Sequence, residues 1–115
     1  MHLQVVLPNE SIDVEPERIA GLARRAEQLG YGAVWLPDHL LPPADYGTTY
    51  GGVYEPLVTL SYIAASTTRI GLGTSVLLVA LRNPFAVAKQ AATLDRLSHG
   101  RLTLGVGLGD RKSVV

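Results

Sequence analysis

Four short apolar runs recur along the 115-residue chain, each separated from the next by room for one helix, and this alternation limits the fold more than any other feature. Leu3-Gln-Val-Val-Leu7 is brief and β-branched, and Pro8-Asn9 stops it, as expected of a strand entering a turn. Ala33-Val-Trp-Leu36, Ile70 to Leu78 and Leu102 to Val106 have the same character, and successive starts fall 30, 37 and 32 residues apart. From Pro16 the spacing of Ile19, Leu22, Ala23, Ala26 and Leu29 is that of a helix buried on one face. Pro16 suits its first turn, Arg24 and Arg25 its negative end, and Gly30 a left-handed cap. A second helix opens at Pro56 with Leu57, Leu60, Ile63 and Ala64 on one side. Asn83-Pro84 caps a third, whose stripe of Val87, Ala88, Ala91, Leu94 and Leu97 is expected to be core, ending at Gly100. The unbroken run from Ile70 predicts a strand covered on both faces. The order βαβαβαβ predicts an α/β fold with parallel strands.

Periodicity does not separate a doubly wound sheet from a barrel, because both repeat the same β/α unit. A dinucleotide fold would carry its glycine fingerprint directly after the first strand, where this chain reads Pro8-Asn9-Glu10-Ser11. Gly105, Gly107 and Gly109 alternate instead at the end of the fourth strand, a weak phosphate-binding signal that is better read as small side chains where a crowded barrel or an approaching ligand needs room.

Charge and composition narrow the chemistry. Ten basic and ten acidic residues cancel, which removes the electrostatic footprint of a nucleic-acid or anionic-membrane binder and leaves a small molecule as the expected partner. The chain has no cysteine, so disulfides, thiolate metal sites and a cysteine nucleophile are excluded, and a cytoplasmic location fits. No apolar stretch reaches the roughly 20 residues that span a bilayer. The residues from Pro37 to Tyr54 include three prolines, three glycines and three tyrosines, the composition of a long loop, and such loops more often carry function than not.

Four stretches occur together and in order: Trp35-Leu-Pro-Asp-His39, Arg69-Ile-Gly-Leu-Gly-Thr-Ser75, Asn83-Pro-Phe-Ala-Val-Ala-Lys-Gln-Ala-Ala-Thr-Leu-Asp-Arg-Leu-Ser98 and Gly100-Arg-Leu-Thr-Leu-Gly-Val-Gly107. Together they resemble the luciferase-like monooxygenase superfamily, most closely its branch that uses the deazaflavin coenzyme F420, with FMN-dependent members as near competitors. The resemblance implies a (β/α)8 barrel of about 250 residues or more. Residues 1–109 would then be its N-terminal half, a partial domain of about four β/α units. Asp110 to Val115 departs from the pattern and can be encoded by a common sequencing adapter, so it is expected to be a non-native tail. Half a barrel leaves two open strand edges, and the fragment alone is expected to self-associate and to be inactive. The full-length protein is expected to be a homodimer.

In a barrel the catalytic groups come from the C-terminal ends of strands, which here are Pro8 and Asn9, Asp38 and His39, Thr74 to Val76, and Gly107 to Gly109. His39 is the only histidine among them, and an imidazole can donate or accept a proton near neutral pH. Taken by itself it equally suits an ordinary structural hydrogen bond. The resemblance implies that His39 lies beside the reactive ring of the cofactor as the catalytic residue, with Asp38 hydrogen-bonding in the same site. It also implies that Thr74, Ser75 and Val76 carry a cis peptide against the cofactor face, with Ser75-Val76 the candidate bond, and that Gly107 borders the cofactor. Ordinary turn hydrogen bonds from the two hydroxyls are the alternative. Tyr46, Tyr50 and Tyr54 suit either a substrate mouth or packing on the rim. Asn83 is expected to be only a helix cap, and Asp95 with Arg96 a structural pair. No histidine pair has metal-ligand spacing, so no metal is expected. Hydride transfer between F420 and an organic substrate is the leading expectation and an FMN-dependent monooxygenase the second; a flavin-binding barrel without turnover, or a metal-dependent barrel hydrolase, comes third.

Overall fold

A computed structural model describes residues 2–9, 13–39 and 54–108; Tyr46, Tyr50, Gly109 and the Asp110 to Val115 tail lie outside the described residues. The chain forms β1 (Gln4–Val6), α1 (Pro16–Gln28), β2 (Ala33–Leu36), α2 (Pro56–Ser66), β3 (Gly71–Leu78), a short 3-10 turn (Val79–Leu81), α3 (Pro84–Leu97) and β4 (Leu102–Gly107). All strands are parallel and their order in the sheet is β1-β2-β3-β4. A doubly wound sheet reverses its strand order partway, so that helices cover both faces. Here every strand pairs with its sequence neighbour, and α1 packs on α2 and α2 on α3. That is the winding of a (β/α)8 barrel, with helices outside and a concave inner face.

The core lies between the helices and the outer face of the sheet. Val34, Leu36, Leu72 and Leu77 point outward from the strands against Ile19, Ala23, Leu60 and Ile63, all fully buried. Each helix starts as its residues require. Pro16, Pro56 and Pro84 occupy first turns; the Glu55 carboxylate accepts from Val58 N–H, and Asn83 Oδ1 accepts from the N–H groups of Phe85 and Ala86. Asn83 is therefore the cap the sequence implies. Asp95 accepts from Leu102 N–H at 3.2 Å, tying α3 to β4.

Two expectations need correction. Of the α3 stripe only Leu94 is buried, Val87 and Ala91 are half-buried, and Leu97 is 64% exposed, because among the described residues α3 has a neighbouring helix on one side only. Nor is β3 covered throughout on both faces, since Ser75 and Val76 are exposed on the inner side.

At the opposite end of the sheet from the strand C-termini, the Glu27 carboxylate near the end of α1 accepts hydrogen bonds from the backbone N–H groups of Thr68, Arg69 and Ile70, the last two at 2.7 and 2.8 Å. Burial pushes the carboxyl up, but those three bonds and the Arg69 charge together outweigh it and hold it below its ordinary value. A carboxyl lowered in the folded state contributes stability that is complete above its unfolded value and is lost as pH falls through the folded one. Glu27→Ala is accordingly expected to destabilise the full-length protein by about 2 kcal/mol at pH 7. Melts taken downward from pH 6 should show wild type converging on the variant as pH falls below the ordinary carboxylate range. A gap that stayed constant with pH would remove the carboxylate from the explanation.

Candidate active site

Every strand-end residue singled out from the sequence and described in the structure lies at the C-terminal end of the same sheet. Leu36 of β2 pairs with Thr74 of β3, and Leu78 pairs with Gly107 of β4, so Asp38 and His39, two and three residues beyond Leu36, stand beside the end of β3. Asp38 Oδ2 accepts from Leu78 N–H at 2.9 Å, which fixes that proximity. His39 is half-buried directly after it.

The inner face beneath them is an open hollow lined by Gln4, Val5, Val6, Trp35 and Ser75. Trp35 donates its indole N–H to Gln4 Oε1 at 2.7 Å, laying the ring across the sheet. Gly73 makes this possible, because a Cβ there would collide with the Trp35 ring. At the end of β3 the Ser75–Val76 peptide is cis, at the bond the resemblance singled out. The β3–β4 register shifts between Thr74 and Leu77 at the same point. Gly105 and Gly107 accept the displaced segment: a Cβ on Gly107 would meet Val76 Cγ2 at 2.7 Å, so the glycine lets Val76 lie across β4 with 37% of its surface exposed.

The predicted site residues divide into two groups. Ser75, Val76 and half-buried His39 present surface at the strand ends. Asp38 and Thr74 are closed off: the Asp38 side chain is 1% exposed, and the Thr74 hydroxyl donates to Gly105 carbonyl at 2.8 Å. These two support the site from within the protein. Tyr54, considered for a substrate mouth, instead donates its hydroxyl to Val14 carbonyl at 2.7 Å and packs at the rim.

Sequence reasoning missed Arg82, and it placed Asn9 at a strand end without giving it a role. Arg82, after the 3-10 turn, places Nη2 3.0 Å from both Asp38 oxygens and 2.8 Å from Glu55 Oε2. A buried carboxylate requires a cationic partner, so an aspartate at a strand end was the available signal, and Arg82 is the arginine at the neighbouring strand end. Asn9, 1% exposed, donates from Nδ2 to the carbonyls of Pro37 and Tyr54 at 3.1 and 3.2 Å. Among the described residues no group of three potential ligands is arranged to hold a metal ion, and no helix is long and apolar enough to cross a membrane.

A planar, largely apolar ring system needs a flat ledge free of projecting side chains. The exposed Ser75 and Val76, with Gly105 and Gly107 of β4 beside them, leave room at the strand ends for such a ring.

Comparison with known proteins bears on the family and the fold. The family described as luciferase-like monooxygenase matches residues 1–115. An F420-dependent glucose-6-phosphate dehydrogenase of Kineococcus radiotolerans is 42% identical over 96 residues, 83% of this chain and 28% of the relative. A 4-hydroxyprotoasukamycin monooxygenase of Streptomyces nodosus is 38% identical over 88 residues, 76% of this chain and 22% of the relative. The structure of coenzyme F420-dependent tetrahydromethanopterin reductase from Methanopyrus kandleri superposes with a TM-score of 0.78 at 30% identity, covering 97% of this chain and 28% of that one. The chain thus spans less than a third of the length of each of these proteins.

Proposed function

This chain belongs to the luciferase-like monooxygenase family, and from that premise we propose that the full-length protein transfers hydride between coenzyme F420 and an organic substrate, with His39 as the catalytic acid or base. The gathering of His39, Ser75, Val76 and Gly107 at one end of a parallel sheet is the observation that carries the proposal. Similarity to two F420-dependent enzymes, at 42% and 30% identity, favours the deazaflavin.

When bound, F420 supplies the ring carbon that gives or takes a hydride. The chain's own residues do the rest. Ser75, Val76 and Gly107 offer the ledge that orients the ring, and Asp38 and Thr74 hold the strand ends that carry it. As a substrate carbon bearing a hydroxyl loses hydride, the hydroxyl proton passes to the His39 imidazole; in the reverse direction His39 returns it to the carbonyl oxygen. The inner-face hollow beside Trp35 offers open space next to Ser75 for a bound molecule.

An FMN-dependent monooxygenase is the second possibility, favoured by the 38% identity to a monooxygenase. Titrating the full-length protein separately with F420 and with FMN, read by cofactor fluorescence, discriminates the two. Saturable binding of F420 at micromolar concentration with no FMN binding is expected. Binding of FMN alone would move the assignment to oxygen chemistry, and binding of neither would sink both. The expected homodimer belongs to the same proposal: Val58 and Tyr62, exposed on α2, offer apolar surface to a second copy.

A further inference from the structure

We propose that Arg82 is a positioning residue for the reaction, fixing His39 by clamping the residue before it. The inference rests on the role proposed above for His39. Arg82 Nη2 lies 3.0 Å from both oxygens of Asp38 and 2.8 Å from Glu55 Oε2, with its side chain 11% exposed and that of Asp38 1% exposed. Two carboxylates thus share one cation, that of Asp38 buried and that of Glu55 on a side chain 29% exposed, which leaves one negative charge over. Backbone donors meet it: Leu78 N–H bonds Asp38 Oδ2, and Val58 N–H, at the positive end of α2, bonds Glu55 Oε1.

The neighbouring step carries a second brace. Asn9 joins Pro37 carbonyl to Tyr54 carbonyl, and Arg82 joins Asp38 to Glu55. Two consecutive residues at the end of β2 are therefore held to two consecutive residues at the start of α2. One brace comes from the β1 end and the other from the β3 end. Structural stitching alone would be served at any depth along the strands. Here both braces sit immediately before His39, the one imidazole at these strand ends, and the Arg82 brace is ionic and buried. Holding the Asp38 carboxylate through Leu78 and Arg82, and the adjacent Pro37 carbonyl through Asn9, restricts the strand end from which His39 follows.

The experiment measures kcat per cofactor-loaded site and substrate KM for Arg82→Gln and Arg82→Lys in the full-length protein, beside His39→Ala. Misplacing a catalytic group by about 1 Å can cost on the order of 100-fold in rate. Arg82→Gln is expected to lose about 10- to 100-fold in kcat with KM within about threefold of wild type. Arg82→Lys, which keeps a charge that can reach the carboxylates through one nitrogen as Nη2 does, is expected to recover part of that loss. Normalising to loaded sites removes any contribution from misfolded protein, so a purely structural arginine would leave kcat untouched. Wild-type kcat in Arg82→Gln overturns the proposal; should that variant fail to load cofactor, wild-type kcat in Arg82→Lys overturns it instead. If His39→Ala itself keeps wild-type kcat, the role of His39 fails first. If His39→Ala is inactive while both Arg82 variants turn over normally, only the positioning role of Arg82 is lost.

Discussion

Replacing His39 with alanine in the full-length protein is expected to lower kcat by about 10²- to 10⁴-fold, the range that a positioned general acid or base supplies. His39 is half-buried at the C-terminal end of the sheet and is not among the residues of the hydrophobic core. Cofactor fluorescence separates the two contributions assigned to this residue. If His39 only lined the cofactor, affinity would fall and turnover at saturating cofactor would recover; if it moves the substrate proton, turnover stays low at saturation. Turnover within tenfold of wild type at saturating cofactor would end its catalytic assignment.

What the sequence revealed and what it concealed follow from the range of the interactions involved. Strands, helices and caps are written locally. The Asn83 cap is complete within three residues, and Pro16, Pro56 and Pro84 mark helix starts without reference to the rest of the chain. Strand ends were equally legible, and with them the neighbourhood of Asp38, His39 and Ser75, because parallel strands necessarily bring their C-terminal ends to one side. Pairings across the chain were not legible. Arg82 reaches Asp38 across 44 positions and Asn9 reaches Tyr54 across 45, and no local pattern records which buried polar group will satisfy which. Arg101 shows the same limit: it sits inside a recognisable motif, yet its guanidinium donates to Ala64 carbonyl and Thr67 Oγ1 at the end of α2, contacts the motif does not announce. The α3 stripe failed for a different reason. Periodicity reports which face of a helix is apolar, whereas coverage of that face depends on neighbours, and α3 meets only α2 among the described helices.

Gly105→Ala tests the frame on which the whole site rests, and it is expected to destabilise the full-length protein by about 3 kcal/mol, the upper end for forcing volume into a packed interior. A Cβ at this position would collide with the carbonyl oxygen of Thr74 on the adjacent strand. Where an added methyl meets the tip of a flexible side chain, a rotamer change relieves the contact. Thr74 offers a backbone atom instead, in a residue with no exposed surface whose hydroxyl is already bonded to Gly105 carbonyl. Relief therefore requires β3 and β4 to move apart, loosening the ledge at Ser75 and Val76 along with the core behind Leu72 and Leu77. Gly21 supplies the control. It lies in the middle of α1 with nothing within 4 Å of its would-be Cβ, so Gly21→Ala removes backbone entropy from the unfolded chain without a clash. That variant is expected to gain up to about 1 kcal/mol. Denaturant midpoints of the two variants should consequently move in opposite directions from wild type. A Gly105→Ala protein within about 0.5 kcal/mol of wild type would mean that β3 and β4 do not approach closely at Thr74 and Gly105, and the ledge proposed for the cofactor ring would go with that contact.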